Sequence, residues 1–296
     1  MAVLVLLDAG MACAQDAPWR EYRDLSALEI PYANGSIDAT RVPDIWLKLH
    51  GSAARRFSID TGLTGIAVSA QHFEPGPDDV DDGPGRLVHH SSGRILEGER
   101  YTTNVAIWRD SDTPLATARV QVLRVMRVSC LEGARDCRPG PQPGGVALMG
   151  VGFDRDAAQG TKPDAPRNPF TNLISLTSGK PVASVRPGYM LSRTALHLGM
   201  TASLARDFAF VKLKPMTASR PGAPPAWSRP PMTASVDGVE GNGAILMDTG
   251  INYMILSPPA GTALSAGARV PAGTKIAIYL PDRRTPQPAF YSFTVG

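Results

Sequence analysis

Apolar and polar residues alternate in short stretches along most of this chain, and few apolar runs are long. Ile45 to Leu49 alternates, His50-Gly51-Ser52 reads as a turn, and Phe57 to Ile59 leads into Asp60. A period of two puts one set of side chains into a core and the other into solvent, so this stretch predicts a β-hairpin whose second strand delivers Asp60. Arg119 to Ser129 alternates strongly and predicts a half-buried strand. Val88 to Trp108 predicts a second hairpin, with its tip near Ser91-Ser92-Gly93. Val146 to Gly152 is a buried apolar run ending in glycine, Phe208 to Leu213 reads as a strand, and Asn168 to Thr177 as a short helix. Lys214 to Pro231 is Pro-rich and predicts an exposed loop, as does the acidic stretch Asp78 to Asp82.

The second half repeats the plan of the first. Thr233 to Val236 predicts a strand, Asp237-Gly238 a turn, and Ala244 to Met247 leads into Asp248. Both hairpins end on the same tripeptide, Asp60-Thr61-Gly62 and Asp248-Thr249-Gly250, and each Asp stands nine residues before a Ser, Ser69 and Ser257. One such tripeptide is a weak signal. Two in matched settings indicate a duplicated unit, and a duplicated unit bearing one carboxylate can set two carboxylates face to face.

Composition narrows the class. The chain has 296 residues with 27 Pro and 29 Gly, which favours many short strands and turns over long helices. Thirty basic and 27 acidic residues leave a net charge of +3, which gives no case for a nucleic-acid partner. Ala2 to Leu7 is apolar and Ala12-Cys13-Ala14 precedes Gln15, so residues 1–14 read as an export signal and a periplasmic or secreted location is expected. No other stretch is long and apolar enough to span a bilayer, so no stable membrane insertion is expected. Cleavage after Ala14 would leave Cys130 and Cys137 as a pair at short spacing. In an exported protein that suggests a small disulfide loop, the alternative being two free thiols in a surface hairpin. Two thiols without a nearby His do not make a zinc site, and the adjacent His89 and His90 would point to opposite faces of a strand, so no metal is expected.

Taken together, the two apolar-apolar-Asp-Thr-Gly motifs, the hairpin that follows the first, and the Leu148-Met149-Gly150 run resemble a pepsin-type aspartic protease. The resemblance covers about residues 30–260, and only the Asp motifs are specific. It implies an all-β bilobal fold of the pepsin-like acid protease kind, with residues 15–165 as the lobe carrying Asp60 and 166–296 as the lobe carrying Asp248. It implies a monomer that hydrolyses peptide bonds with a water activated by the two carboxylates, with a peptide or protein substrate and no cofactor. Thr61 and Thr249 would brace the loops across the lobes, and Gly62 and Gly250 would let backbone pass close to the carboxylates. The family's closing hairpin corresponds to the region of His89, His90, Ser91 and Ser92. It usually bears a Tyr near the tip; Tyr101 lies too far along the second strand, and His90 is the candidate substitute.

Two departures accompany the resemblance. The family usually has Ser or Thr directly after Asp-Thr-Gly, donating to the outer carboxylate oxygen. Leu63 and Ile251 stand there, and losing a donor to the charged form raises a carboxylate pKa. The outcome is activity nearer neutral pH or weak activity. Asp60 lies 90 residues before Gly150, whereas only 48 residues follow Asp248, so the second lobe is expected to be incomplete at its C-terminus. Two other readings stay open: a catalytically weak or inactive pepsin-like protein that binds peptides in the same cleft, and an unrelated β-rich envelope protein in which both tripeptides are turns.

Overall fold

The computed structural model describes residues 22, 25–38, 41–134, 137–153, 166–206, 208, 210–216, 227–264, 267, 269–286 and 288–296. The expected export signal, residues 1–14 with Cys13, lies outside the described residues.

The alternation near Asp60 folds as predicted. Strands β2 (Asp44–Lys48) and β3 (Arg55–Asp60) pair antiparallel about the turn at Gly51. Ile45, Leu47, Phe57 and Ile59 are fully buried from their inner faces. Preceding them is β1 (Leu28–Pro31), and following them is β4 (Thr64–Ser69), whose last five residues are all buried. The second hairpin, β5 (Val80–His89) and β6 (Arg94–Trp108), turns at residues 90–93, and the alternating stretch after it lies inside the longer strand β7 (Pro114–Cys130).

Two short strands come next, β8 (Gly140–Pro141) and β9 (Ala147–Val151). Strand β9 is inserted between β3, to which it runs parallel, and β4, to which it runs antiparallel. Strands β7, β4, β9, β3, β2 and β6 follow one another, and β6 pairs back onto β7, so these six close into a barrel. Closure removes the unpaired edges that an open sheet exposes. Met149 sits in the middle of β9 at 0% exposure, between Ile59 and Ile66 in register.

Beyond β9 the elements are shorter. Strand β10 (Leu173–Leu176) adds to the outside of β7. Strands β11 (Tyr189–Leu191) and β12 (Ala195–Leu198) form a three-stranded sheet with β1, so the beginning of the chain pairs with residues beyond 165. Strands β13 (Pro231–Val236), β14 (Val239–Ala244), β15 (Lys275–Leu280) and β16 (Ala289–Thr294) form a separate four-stranded sheet in the order β14-β13-β15-β16. Asp237 and Gly238, both at positive φ (48° and 87°), make the tight turn between β13 and β14. The fold is all-β, as the turn-rich composition implies.

Three local expectations need correction. Asn168 to Thr177 is not a helix: Asn168 Oδ1 accepts the Phe170 N–H at 2.9 Å, a side-chain turn that competes with helix, and the following residues join β7 as β10. The acidic stretch is not a solvated loop throughout, because Val80–Asp82 begin β5 and Asp82 is 5% exposed. Thr102 Oγ1 and Gln121 Nε2 donate to its carboxylate at 2.6 and 3.0 Å, which offsets the cost of burying it. The described part of Phe208 to Leu213 forms no strand, and Phe208 and Phe210 lie exposed. Much of the Pro-rich segment, residues 217–226, lies outside the described residues; its second end belongs to β13.

Removing the side chain at the centre of β9 should therefore be costly. Met149→Ala is expected to destabilise the protein by about 2–5 kcal/mol in urea unfolding, the usual range for a fully buried Met→Ala. Met254→Ala, at a side chain 49% exposed, should change stability by no more than about 0.5 kcal/mol.

Candidate active site

Asp60 is the last residue of β3, opposite Gly150 in the parallel pairing with β9. The chain then turns over Gly150, where any side chain would collide with the backbone of Leu63 and Thr64. Gly152 N–H closes the turn by donating to Leu63 O at 2.8 Å. Asp60 is consequently 7% exposed.

Asp248 arrives differently. Strand β14 ends at Ala244, Ile245 N–H donates to Pro230 O at 3.0 Å, and residues 245–258 belong to no strand. Met247, Tyr253, Met254 and Ile255 are exposed there. The apolar segment that β9 provides behind Asp60 has no counterpart behind Asp248 among the described residues.

The two tripeptides nevertheless meet, through a reciprocal set of hydrogen bonds. Thr61 N–H donates to Thr249 Oγ1 at 3.2 Å, and Thr249 N–H donates to Thr61 Oγ1 at 3.0 Å. Each hydroxyl then donates across the junction, Thr61 Oγ1 to Met247 O at 2.6 Å and Thr249 Oγ1 to Ile59 O at 2.8 Å. Each Asp also accepts the N–H two residues ahead, from Gly62 at 2.7 Å and from Gly250 at 2.8 Å. The two loops are close to mirror copies in their bonding.

The glycines show how near the carboxylates lie. A methyl on Gly62 would overlap the Asp248 carboxylate, and one on Gly250 would overlap that of Asp60. The Asp248 side chain lies close enough to Asp60 for its charge to act on the Asp60 carboxyl. Burial, followed by the charge of Asp248, pushes the Asp60 carboxyl up to about 6. The Gly62 and Leu63 N–H groups act in the opposite direction, so the backbone of Leu63 supplies a donor even though its side chain cannot. Two carboxyl groups this close cannot both ionise cheaply, which favours the protonated form of one of them.

The β5–β6 hairpin carries the other candidates. His90, Ser91 and Ser92 form its turn, and His90 is exposed. The inward residue is His89, close enough to Asp248 for that charge to act on its ring. The sequence reading places His89 in this hairpin but prefers its neighbour His90; the signal for His89 is that it shares a strand face with buried Leu87, two residues earlier. Tyr101 sits at the hairpin base, edge-on to Phe73 with ring centres 5.7 Å apart. Cys130 and Cys137 are joined as a disulfide, with Cα atoms 5.8 Å apart, and Arg94 pairs with Cys130 in the sheet. Leu131 N–H donates to Gly93 O at 2.7 Å, so the disulfide loop holds the hairpin tip. Among the described residues no group of His, Cys, Asp and Glu could hold a metal ion, and no helix is long and apolar enough to cross a membrane.

No protein-family model matches this chain, and no curated protein matches it. Among solved structures 172 chains match. One is an aspartic proteinase from Irpex lacteus, 14% identical with a TM-score of 0.43. The match covers 77% of this chain and 64% of that one, so the chain spans less than two thirds of that proteinase's length.

The raised carboxyl of Asp60 has a consequence for stability. An acid whose folded pKa lies above its unfolded value binds its proton more tightly when folded, so stability falls as pH rises between the two values. For Asp60 that window runs from about 4, the ordinary Asp value, to about 6. Asp60→Asn keeps an acceptor for Gly62 N–H and removes the penalty. Its melting temperature should equal that of the parent near pH 4 and exceed it above pH 6, by an amount on the order of 2 kcal/mol in unfolding free energy. A pH-independent difference between the two would show that Asp60 is not protonated by its surroundings.

Proposed function

We propose that this chain is an aspartic-type endopeptidase of the pepsin kind that works in an exported compartment. The observation that carries the proposal is the pair of Asp-Thr-Gly loops, bonded reciprocally through Thr61 and Thr249, with Asp60 and Asp248 in contact. Turns of unrelated origin have no reason to meet in this way, which disfavours the reading of the two tripeptides as turns alone.

The chemistry follows from one proton shared by two carboxyl groups, the arrangement on which aspartic proteases in general rely. With the pair singly protonated, the ionised member takes a proton from a water while that water attacks the scissile carbonyl carbon. The protonated member donates to the carbonyl oxygen, giving a neutral tetrahedral diol. Return of a proton to the amide nitrogen breaks the C–N bond. The raised Asp60 carboxyl extends the singly protonated state up to about pH 6. In this reading residues 15–165 and 166–296 each supply one carboxylate, and the β5–β6 hairpin lies over the peptide. The Cys130–Cys137 disulfide suits an oxidising compartment.

A second reading has an observation in its favour. Met247, Tyr253, Met254 and Ile255 are exposed beside Asp248, so its loop rests on fewer neighbours than that of Asp60. Loose positioning of about 1 Å can cost on the order of a hundredfold in rate. The same cleft would then bind peptides and turn them over slowly.

Cleavage of a fluorogenic peptide library across pH separates these readings. An endopeptidase should show a pepstatin-sensitive rate whose alkaline limb falls near pH 6. Asp60→Asn and Asp248→Asn should each lower kcat by roughly a thousandfold or more, within the range for loss of a positioned acid or base. Peptide binding without measurable cleavage would support the second reading, and a rate indifferent to both substitutions would exclude the dyad.

A further inference from the structure

The inner face of the β5–β6 hairpin brings one more polar group to the dyad. Leu87 and His89 lie on one face of β5, and Leu87 is buried at 7% exposure. His89 follows two residues on along that face, whose Leu87 lies in the apolar cluster that Leu63 beside Asp60 packs against, and is paired in register with Arg94 on β6. Its Nε2 is shielded from solvent and has no hydrogen-bond partner among the described residues. Asp248 is near enough for its charge to act on the imidazole. The hairpin tip above it is held by the Leu131 N–H bond to Gly93 O and by the pairing of Arg94 with the disulfide-bonded Cys130. A donor mounted on a fixed strand is preorganised, and a buried donor without a protein partner is costly unless something else accepts from it.

We infer that His89 donates its Nε2–H to the oxygen of the tetrahedral intermediate on the Asp248 side of the dyad. This rests on the endopeptidase reading above. Burial and then the facing Arg94 push the imidazole down to about 4, with His90 acting the same way and Asp248 against them. Over the dyad's working range the ring is therefore neutral, with a proton on one nitrogen. It offers a hydrogen bond without a full charge, and no proton leaves or joins it during the step. Its partner on the peptide develops only as the carbonyl becomes tetrahedral, so the bond strengthens along the reaction.

The test compares wild type with His89→Ala, His89→Gln and Arg109→Ala, all as the full chain. His89→Ala should lower kcat about tenfold to a hundredfold with KM changed less than about twofold, in line with loss of one hydrogen-bond donor to the oxygen that becomes a better acceptor as the carbonyl turns tetrahedral. His89→Gln, which retains an N–H donor, should recover much of that loss. Arg109→Ala, in the exposed turn between β6 and β7, should behave as wild type, and all three should keep the wild-type melting temperature. Pepstatin, whose tetrahedral hydroxyl-bearing carbon stands in for the intermediate, should lose affinity in the same order. An unchanged kcat, a change in KM alone, or a loss in His89→Ala matched by Arg109→Ala would overturn the assignment while leaving the protease reading intact. So would a fall in melting temperature that His89→Gln fails to restore. If wild type binds pepstatin but cleaves nothing, the order of pepstatin affinities decides the role of His89 and turnover is what fails. A wild type that neither cleaves nor binds pepstatin overturns both.

Discussion

The candidate site depends on the bonds that Thr61 and Thr249 exchange. Each threonine uses its N–H and its hydroxyl to hold the opposite loop, so four bonds join segments 188 residues apart in sequence. Two carboxylates repel each other when ionised and would separate if the loops were free. The threonine lattice holds them in contact, and the cost appears as a raised carboxyl at Asp60. A strained electrostatic arrangement of this kind persists only when its surroundings hold it in place.

The surroundings are unequal. Asp60 ends a barrel strand and is backed by Gly150 and Met149, inside a closed sheet with a continuous apolar core. Asp248 ends an irregular segment after a hairpin, with exposed apolar side chains beside it. Position is therefore imposed on Asp248 largely through the Asp60 loop. The physical order runs from barrel closure, to the seating of Asp60, to the threonine bonds, to the placement of Asp248. The β5–β6 hairpin joins the same sequence of dependence, because β6 pairs with β7 along its length and the disulfide loop holds its tip.

Much of this was legible in the amino-acid sequence, for reasons that can be stated. Alternation exposed β2 and the start of β3 because one face is buried and the other is not, whereas β7, expected half-buried, is buried on both faces from Val120 to Leu123, where Gln121 meets Asp82 and Leu123 joins a second apolar cluster. The duplicated tripeptide exposed the two Asp loops because a tight approach of backbone to carboxylate admits only glycine at positions 62 and 250. What was not legible depended on distant partners. Asp82 reads as a loop residue until Thr102 and Gln121 are brought to it. Leu173 to Leu176 reads as helical until β7 offers an edge. His90 was the candidate over the site, whereas the structure turns His89 inward; the parity that decides this is set by buried Leu87, whose partners lie on other strands.

The central claim is that Asp60 and Asp248 are close enough to share a proton. The most direct measurement is a carbon-13 NMR titration of the Asp60 side-chain carboxyl in wild type and in Asp248→Asn. In wild type the midpoint should lie near 6. In Asp248→Asn it should move down toward the ordinary carboxylate range, since the facing charge is gone while the burial remains. A wild-type midpoint in the ordinary range, or one that does not move when Asp248 loses its charge, would contradict the account.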